Sequence, residues 1–167
     1  MIRIRPETRH DAGTIHDLLV GAFPTPVEAG LVDRMRRDGD LVLSLVAAHV
    51  DGAIVGHVAF PRLRVVVSGV GYRAVGLAPL AVAETRRRQG IGAELVQRGL
   101  AQLRAQDETL VFVLGDPAYY GRFGFTAETA RPYTSAYDET YFMALRLEDD
   151  APRAGLVRYP AAFDALA

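Results

Sequence analysis

VGLAPLAVAETRRRQGIGAELV, Val75 to Val96, joins an apolar run containing a proline to three arginines, a Gly-x-Gly and the start of a helical pattern. Pro79 has no N–H to give to a sheet ladder, so the run reads as a strand that is irregular, bulged or at an edge at that point. Past the glycines, Ile91, Leu95, Val96, Leu100 and Leu103 recur at the spacing of one helix face. After the polar AQDET, the run LVFVLG has the unbroken apolar character of a strand buried on both faces. Strand, loop, helix, strand in that order is a crossover unit. It predicts a mixed α/β (α+β) chain with a gap in the sheet near Pro79.

The flanking sequence fits such a sheet. MIRIR alternates like a short strand, and ETRHDAGTIHDLLVGAF follows with Ile15, Leu18, Leu19 and Phe23 at helical spacing. Pro24 and Pro26 break that helix, and VEAGLVDRMRR suggests a second with Leu31, Val32 and Met35 facing inward. LVLSLVAAHV and AIVGHVAF, separated by Asp51-Gly52, predict a hairpin whose turn positions both take positive φ. Arg62 to Val67 extends its second strand to a further turn at SGVG. In DPAYYGRF, Asp116 caps a short helix and Pro117 suits its first position. YFMALRL reads as the last strand, and Leu156, Val157, Tyr159 and Phe163 of the less regular tail pack back on the body. The chain reads as a single domain over 1–167, with a core of 1–147 and an extension of 148–167 packed on it.

Composition narrows the function. With 167 residues, half hydrophobic and 23% charged, the chain is an ordinary globular domain. A net charge of -1 argues against nucleic acid as a partner. The absence of cysteine excludes disulfides and thiolate nucleophiles, and His10, His16, His49 and His57 form no metal spacing, so no metal is expected. All nineteen basic side chains are arginine, which removes the lysine that a Walker-A site needs. MIRIRPETRH lacks a secretory apolar run and no stretch is long enough to span a bilayer, so the expectation is a soluble, cytoplasmic protein without a membrane partner.

The first-turn amides of a helix are unpaired and lie at its positive end, and glycine there lets a bulky anion approach the backbone. A charge-assisted amide bond contributes about 1.5–3 kcal/mol, against about 1 kcal/mol or less for an exposed arginine pair. The amides therefore dominate and the arginines tune. For a lone Gly-x-Gly, a plain surface turn would be the better reading. A dinucleotide fingerprint is a poor alternative, because Leu95 stands where its third glycine belongs.

The combination of PLAV ending a strand, RRRQGIG opening a helix and YYGRFGF after the next strand resembles the GNAT superfamily of N-acetyltransferases. The family's signature, Arg or Gln, two residues, Gly, one residue, Gly or Ala, is matched by Arg87, Gly90 and Gly92. Its Tyr with three residues before Gly-Phe is matched by Tyr120, Gly124 and Phe125. The resemblance covers about Val75 to Phe125, and GDPAYYGRFGF with VRYPAAF looks more specifically like the YhbS type of bacterial acetyltransferase.

That resemblance implies a mostly antiparallel twisted sheet with a splayed strand pair and flanking helices. It implies acetyl-CoA as cosubstrate, its pyrophosphate on the amides of Arg87, Arg88, Gln89, Gly90, Ile91 and Gly92, and its pantetheine arm on backbone near Leu80 and Val82. The Val82 amide would then be the oxyanion donor, and Tyr120 the general acid to the leaving thiolate. Attack by a primary amine would be direct, with a small-molecule amine or a protein N-terminus as acceptor. Glu28, His57, Glu84 and Asp116 are candidate bases, each with a structural reading that is the stronger one, and none is assigned. Tyr133, Tyr137 and Tyr141 are candidate acceptor-pocket residues that fit packing or surface roles better, and Phe23 to Glu28 lies where this fold often shapes its acceptor site. Two alternatives stay open, a non-catalytic CoA-binding or regulatory module and a site for another anion such as a nucleotide. A homodimer is compatible with the sequence.

Overall fold

In a computed structural model describing residues 1–137 and 139–166, nine strands and five α-helices follow one another along the chain. Strand β1 (Ile2–Pro6) leads through α1 (Ala12–Ala22) and α2 (Val27–Asp38) to the long hairpin β2 (Leu41–His49) and β3 (Ile54–Val67). β4 (Val70–Leu77) and β5 (Leu80–Val82) precede α3 (Ile91–Ala105), β6 (Leu110–Leu114) and α4 (Pro117–Tyr120). Then come α5 (Ala127–Ala130), β7 (Tyr133–Thr134), β8 (Phe142–Arg146) and β9 (Gly155–Arg158), with a 3-10 helix at Ala161–Leu166 after them.

The main path of the sheet runs β1-β2-β3-β4-β6-β8, and along it neighbours are antiparallel except where β4 meets β6. That parallel pair is the crossover unit around α3, with Val75, Gly76 and Leu77 opposite Val111, Phe112 and Val113. The strand then breaks at Ala78-Pro79, as the proline requires. β5 continues along β3, with His57 opposite Ala81, whereas beyond Leu114 the Gly115 amide bonds to the Tyr141 carbonyl. The two paths diverge and leave the predicted gap, a splayed strand pair with helices on both faces.

Helix α3 covers one face. Ile91, Leu95, Val96, Leu100 and Leu103 are all buried there against Val58 and Phe60 of β3 and the apolar residues of β2 and β6. Each such side chain contributes about 1.5–3 kcal/mol on full burial. Helices α1 and α2 cover the other face through Ile15, Leu19, Leu31, Val32 and Met35, with Val46, Ala59 and Ala81 beneath them. Gly39, left-handed at φ 77°, ends α2, and the Asp40 amide bonds back to the Met35 carbonyl at 2.9 Å, which satisfies a carbonyl the helix end would leave open.

Three local expectations are corrected. The Asp51-Gly52 hairpin forms, but only Gly52 takes positive φ, at 93°. The Gly52 amide bonds to the His49 carbonyl at 2.8 Å and the Asp51 carboxylate accepts from Ala53 at 2.9 Å, a longer loop than a two-residue turn. The turn with two positive φ values is the next one, Ser68 at φ 50 and Gly69 at φ 81. It lies between the paired residues Val67 and Val70, where strand twist favours that geometry. YFMALRL is not the last strand. β9 follows it, running antiparallel to β3 with Val65 opposite Val157 and parallel to β7. Val157 and Phe163 are buried, while Leu156 points to solvent.

Candidate active site

The gap and the N-terminus of α3 open onto one cleft of about 490 Å³. Antiparallel pairing dictates which main-chain groups face it. The Pro79 carbonyl and the Ala83 amide bond to Ala59 and Val55 of β3, so strand alternation turns the main chain of Leu80 and Val82 to the opposite edge. Among the described residues β5 pairs only with β3, and that edge is the gap. The Val82 carbonyl accepts from Nε of Arg87 at 3.3 Å, which ties the arginine loop to the strand.

The turn into α3 winds through two left-handed residues, Arg88 at φ 65 and Gly90 at φ 81. Gly90 is the N-cap and supplies no side-chain acceptor, so the amides of the first turn are left without a side-chain cap from that position. Space around Gly90 is open, and its requirement for glycine is conformational. Gly92 is different: a Cβ there would lie 2.8 Å from the Tyr119 hydroxyl oxygen, 3.6 Å from Val82 and 3.9 Å from Leu80.

The structure gathers Leu80, Val82, Arg87 and Arg88 with Gly90, Ile91 and Gly92 around the cleft. Ile91 takes part through its backbone, because its side chain is buried in the core. Gln89 is exposed and lies outside the lining. Tyr120 is also outside it: a Cβ on Gly115 would stand 2.3 Å from the Tyr120 ring, which packs edge-on to Tyr119 and Phe125. Burial, with the neighbouring Tyr119 adding to it, pushes the Tyr120 phenol up to about 12, since the charged phenolate is the form that loses hydration.

Arg86, Tyr119 and Arg122 face the cleft without having been singled out from the sequence. Arg86 was the first of three like residues with nothing to separate it, whereas Tyr119 and Arg122 lay inside YYGRFGF but off its matched positions. α4 is built as its sequence dictates, with Asp116 accepting from the Ala118 amide at 2.9 Å and Pro117 at the first position.

The base candidates have structural surroundings. His57 is fully buried, with Nε2 at 2.8 Å from the Ser44 hydroxyl. Ser44 donates to Glu7, and Arg36 grips the same carboxylate at 2.7 Å and 3.1 Å. Burial lowers His57 to about 4, Glu7 opposing and Arg36 adding to the fall, so its ring is neutral at physiological pH. Nδ1 of His57 and Oε1 of Glu28 are buried without a hydrogen-bond partner among the described residues. Glu84 is exposed, and Asp116 is the α4 cap. Of the tyrosines, Tyr133 stacks edge-on to Phe112, Tyr137 packs on Tyr159 and Phe163, and Tyr141 is exposed. At the front of the cleft stand Ala22 and Phe23 from the end of α1.

Among the described residues no cluster of three or more His, Asp or Glu could hold a metal, and no helix is long and apolar enough to cross a membrane.

Residues 3–127 match the acetyltransferase (GNAT) domain family. The chain is 41% identical over 165 residues to the uncharacterized N-acetyltransferase YhbS of Escherichia coli K12, covering 96% of this chain and 98% of that protein. The crystal structure of E. coli YhbS in complex with CoA superposes with a TM-score of 0.91 at 40% identity, over 98% of this chain and 92% of the other. A GNAT family acetyltransferase from Brucella melitensis, in complex with acetyl-CoA, gives 0.83 at 36% identity over 98% and 99%.

Proposed function

Because the chain belongs to the GNAT acetyltransferase family, we propose that it moves an acetyl group from acetyl-CoA to a primary amine, carried by a small molecule or a protein N-terminus, by direct attack. The observation that carries this reading is the pairing of an uncapped helix mouth with a strand edge whose Leu80 and Val82 main chain faces an open gap. Similarity to proteins crystallised with CoA and acetyl-CoA supports the choice of cosubstrate.

When bound, acetyl-CoA supplies an acyl group activated as a thioester. The amides from Arg87 to Gly92 hold its diphosphate, with the cleft arginines adding charge at smaller individual weight. Leu80 and Val82 bind the pantetheine arm through backbone, and the Val82 amide donates to the carbonyl oxygen as negative charge grows on it. Phe23 walls the side from which the amine enters.

Tyr120 keeps its proton at neutral pH, as a general acid must. A thiolate near 8.5 is a much weaker base than a phenolate near 12, so full transfer from Tyr120 is uphill by about 5 kcal/mol. Its role is therefore to donate a hydrogen bond to the departing sulfur, while the proton that completes the thiol comes from the nitrogen of the amine, which attacks neutral, turns cationic as the C–N bond forms and sheds that proton as the C–S bond breaks. An α-amine, near 8, costs about 1 kcal/mol to deprotonate at pH 7, against about 4–5 kcal/mol for a lysine-like amine. The described residues that line the cleft include no carboxylate and no histidine, which favours the weakly basic acceptor.

The test is thiol release from acetyl-CoA across a panel of amines, with Tyr120→Phe alongside the native protein. Turnover lowered at least about tenfold in the variant, with CoA affinity unchanged, supports the roles given. CoA binding without turnover for any amine would instead identify a binding module. Unchanged turnover in the variant would remove Tyr120 from the chemistry.

A further inference from the structure

The Tyr119 hydroxyl overhangs the first turn of α3, so near Gly92 that a methyl group on that residue would be 2.8 Å away. Its ring is fixed from several sides. The Tyr119 amide bonds to the Asp116 carbonyl at 3.0 Å, and the ring lies edge-on to Tyr120 and Phe123 with centroids 4.9 Å and 5.6 Å away. The Arg122 guanidinium sits 4.4 Å above the ring, and its Nε donates to the Tyr119 carbonyl at 3.1 Å.

The hydrogen-bonding chemistry of this corner is one-sided. Guanidiniums only donate, and Arg86, Arg87, Arg88 and Arg122 all face the cleft. The α3 amides are donors as well, and the nearby Val82 carbonyl already accepts from Arg87. A phenol among donors keeps its own proton for an acceptor that arrives with a ligand. Burial raises the Tyr119 pKa, Arg122 opposing, so that proton is present at physiological pH.

We propose that Tyr119 is a further ligand of the anion at the mouth of α3, its O–H donating to a diphosphate oxygen while Arg122, stacked on the ring, holds the phenol in place. This deepens, and rests on, the acetyl-CoA reading above. Gly92 thereby serves two purposes, admitting the anion to the backbone and leaving room for the phenol that closes over it.

Isothermal titration of the native protein and Tyr119→Phe with three ligands tests this. CoA and dephospho-CoA both carry the diphosphate, whereas S-acetylpantetheine lacks it. The variant should bind CoA and dephospho-CoA each about tenfold more weakly and S-acetylpantetheine as the native protein does. Arg122→Gln, which frees the phenol, should show the same pattern with a smaller loss. Wild-type affinity of Tyr119→Phe for CoA would overturn the proposal, and so would an equal loss for all three ligands, which would make Tyr119 a wall of the pantetheine channel. Failure of the native protein to bind CoA would overturn the cosubstrate reading itself, an outcome distinct from either. Matching thermal melting of the ligand-free proteins establishes that the hydroxyl, and not the fold, is being read.

Discussion

Replacing Gly99 by alanine ought to stabilise an ordinary helix, yet in α3 it should do the reverse. A Cβ at Gly99 would lie 2.4 Å from both Cε2 and Cζ of Phe60, where carbon atoms normally stop at about 3.5–4.0 Å. Phe60 is fully buried in the sheet beneath the helix and cannot swing into solvent. Overpacking of this kind costs about 1–3 kcal/mol, and a double clash with a ring belongs in the upper part of that range. Alanine recovers about 1 kcal/mol of helix propensity, leaving a net loss of about 1–2 kcal/mol. In a chain of this length that lowers Tm by about 2–8 °C. Gly30 of α2 is the control: apart from its own helix backbone and chain neighbours, no atom of the described residues lies within 4 Å of its added Cβ, so Gly30→Ala should gain about 0.5–1 kcal/mol. Equilibrium urea unfolding of both variants measures the two signs in one experiment. If Gly99→Ala proves as stable as the native protein, α3 is not seated by that contact, and the height of its N-terminal mouth above the sheet must be set elsewhere.

Four further outcomes follow from the same structure. His57 is held below its ordinary value of 6.5, at about 4, so the unfolded chain takes up a proton that the native one refuses. Stability should therefore be intact above about pH 6.5 and fall by about 3 kcal/mol as pH drops to about 4; urea unfolding at stepped pH should show that slope flattened in His57→Gln. Glu108 is 2% exposed and bonded by Arg62 at 2.8 Å and Arg73 at 2.6 Å, so Glu108→Ala, which strands Arg62, should cost about 3 kcal/mol by the same assay. Both residues of the β3-β4 turn, Ser68 and Gly69, are left-handed. Asparagine tolerates that conformation better than serine, so Ser68→Asn should raise the urea midpoint, whereas Gly69→Ala should lower stability by about 1 kcal/mol. Gly92→Ala should weaken CoA binding at least about tenfold, and combined with Tyr119→Phe the two losses should be less than additive, because the methyl group strikes the very hydroxyl the second change removes.

Local chemistry written in the chain determined much of this protein. The five apolar positions of α3 repeat at helical spacing, and all five are buried. Pro79 lacks an amide hydrogen, and the sheet breaks there. Gly90 stands where the chain turns left-handed, and Asp116-Pro117 begins a short helix. Such features depend on a residue and its near neighbours, so they can be read in one dimension. Long-range contacts decided the rest. Nothing within GLVR marks it as a strand that joins β3, because a strand is defined by its partner. Likewise, the motif register in YYGRFGF picks out Tyr120 and passes over Tyr119, and only the packing of α4 sends Tyr119 over Gly92 and Tyr120 beneath Gly115. His57 illustrates the same division: its side chain and its place on a strand were legible, but the sheet and the helices closed over it, taking away the water that would have let it carry charge.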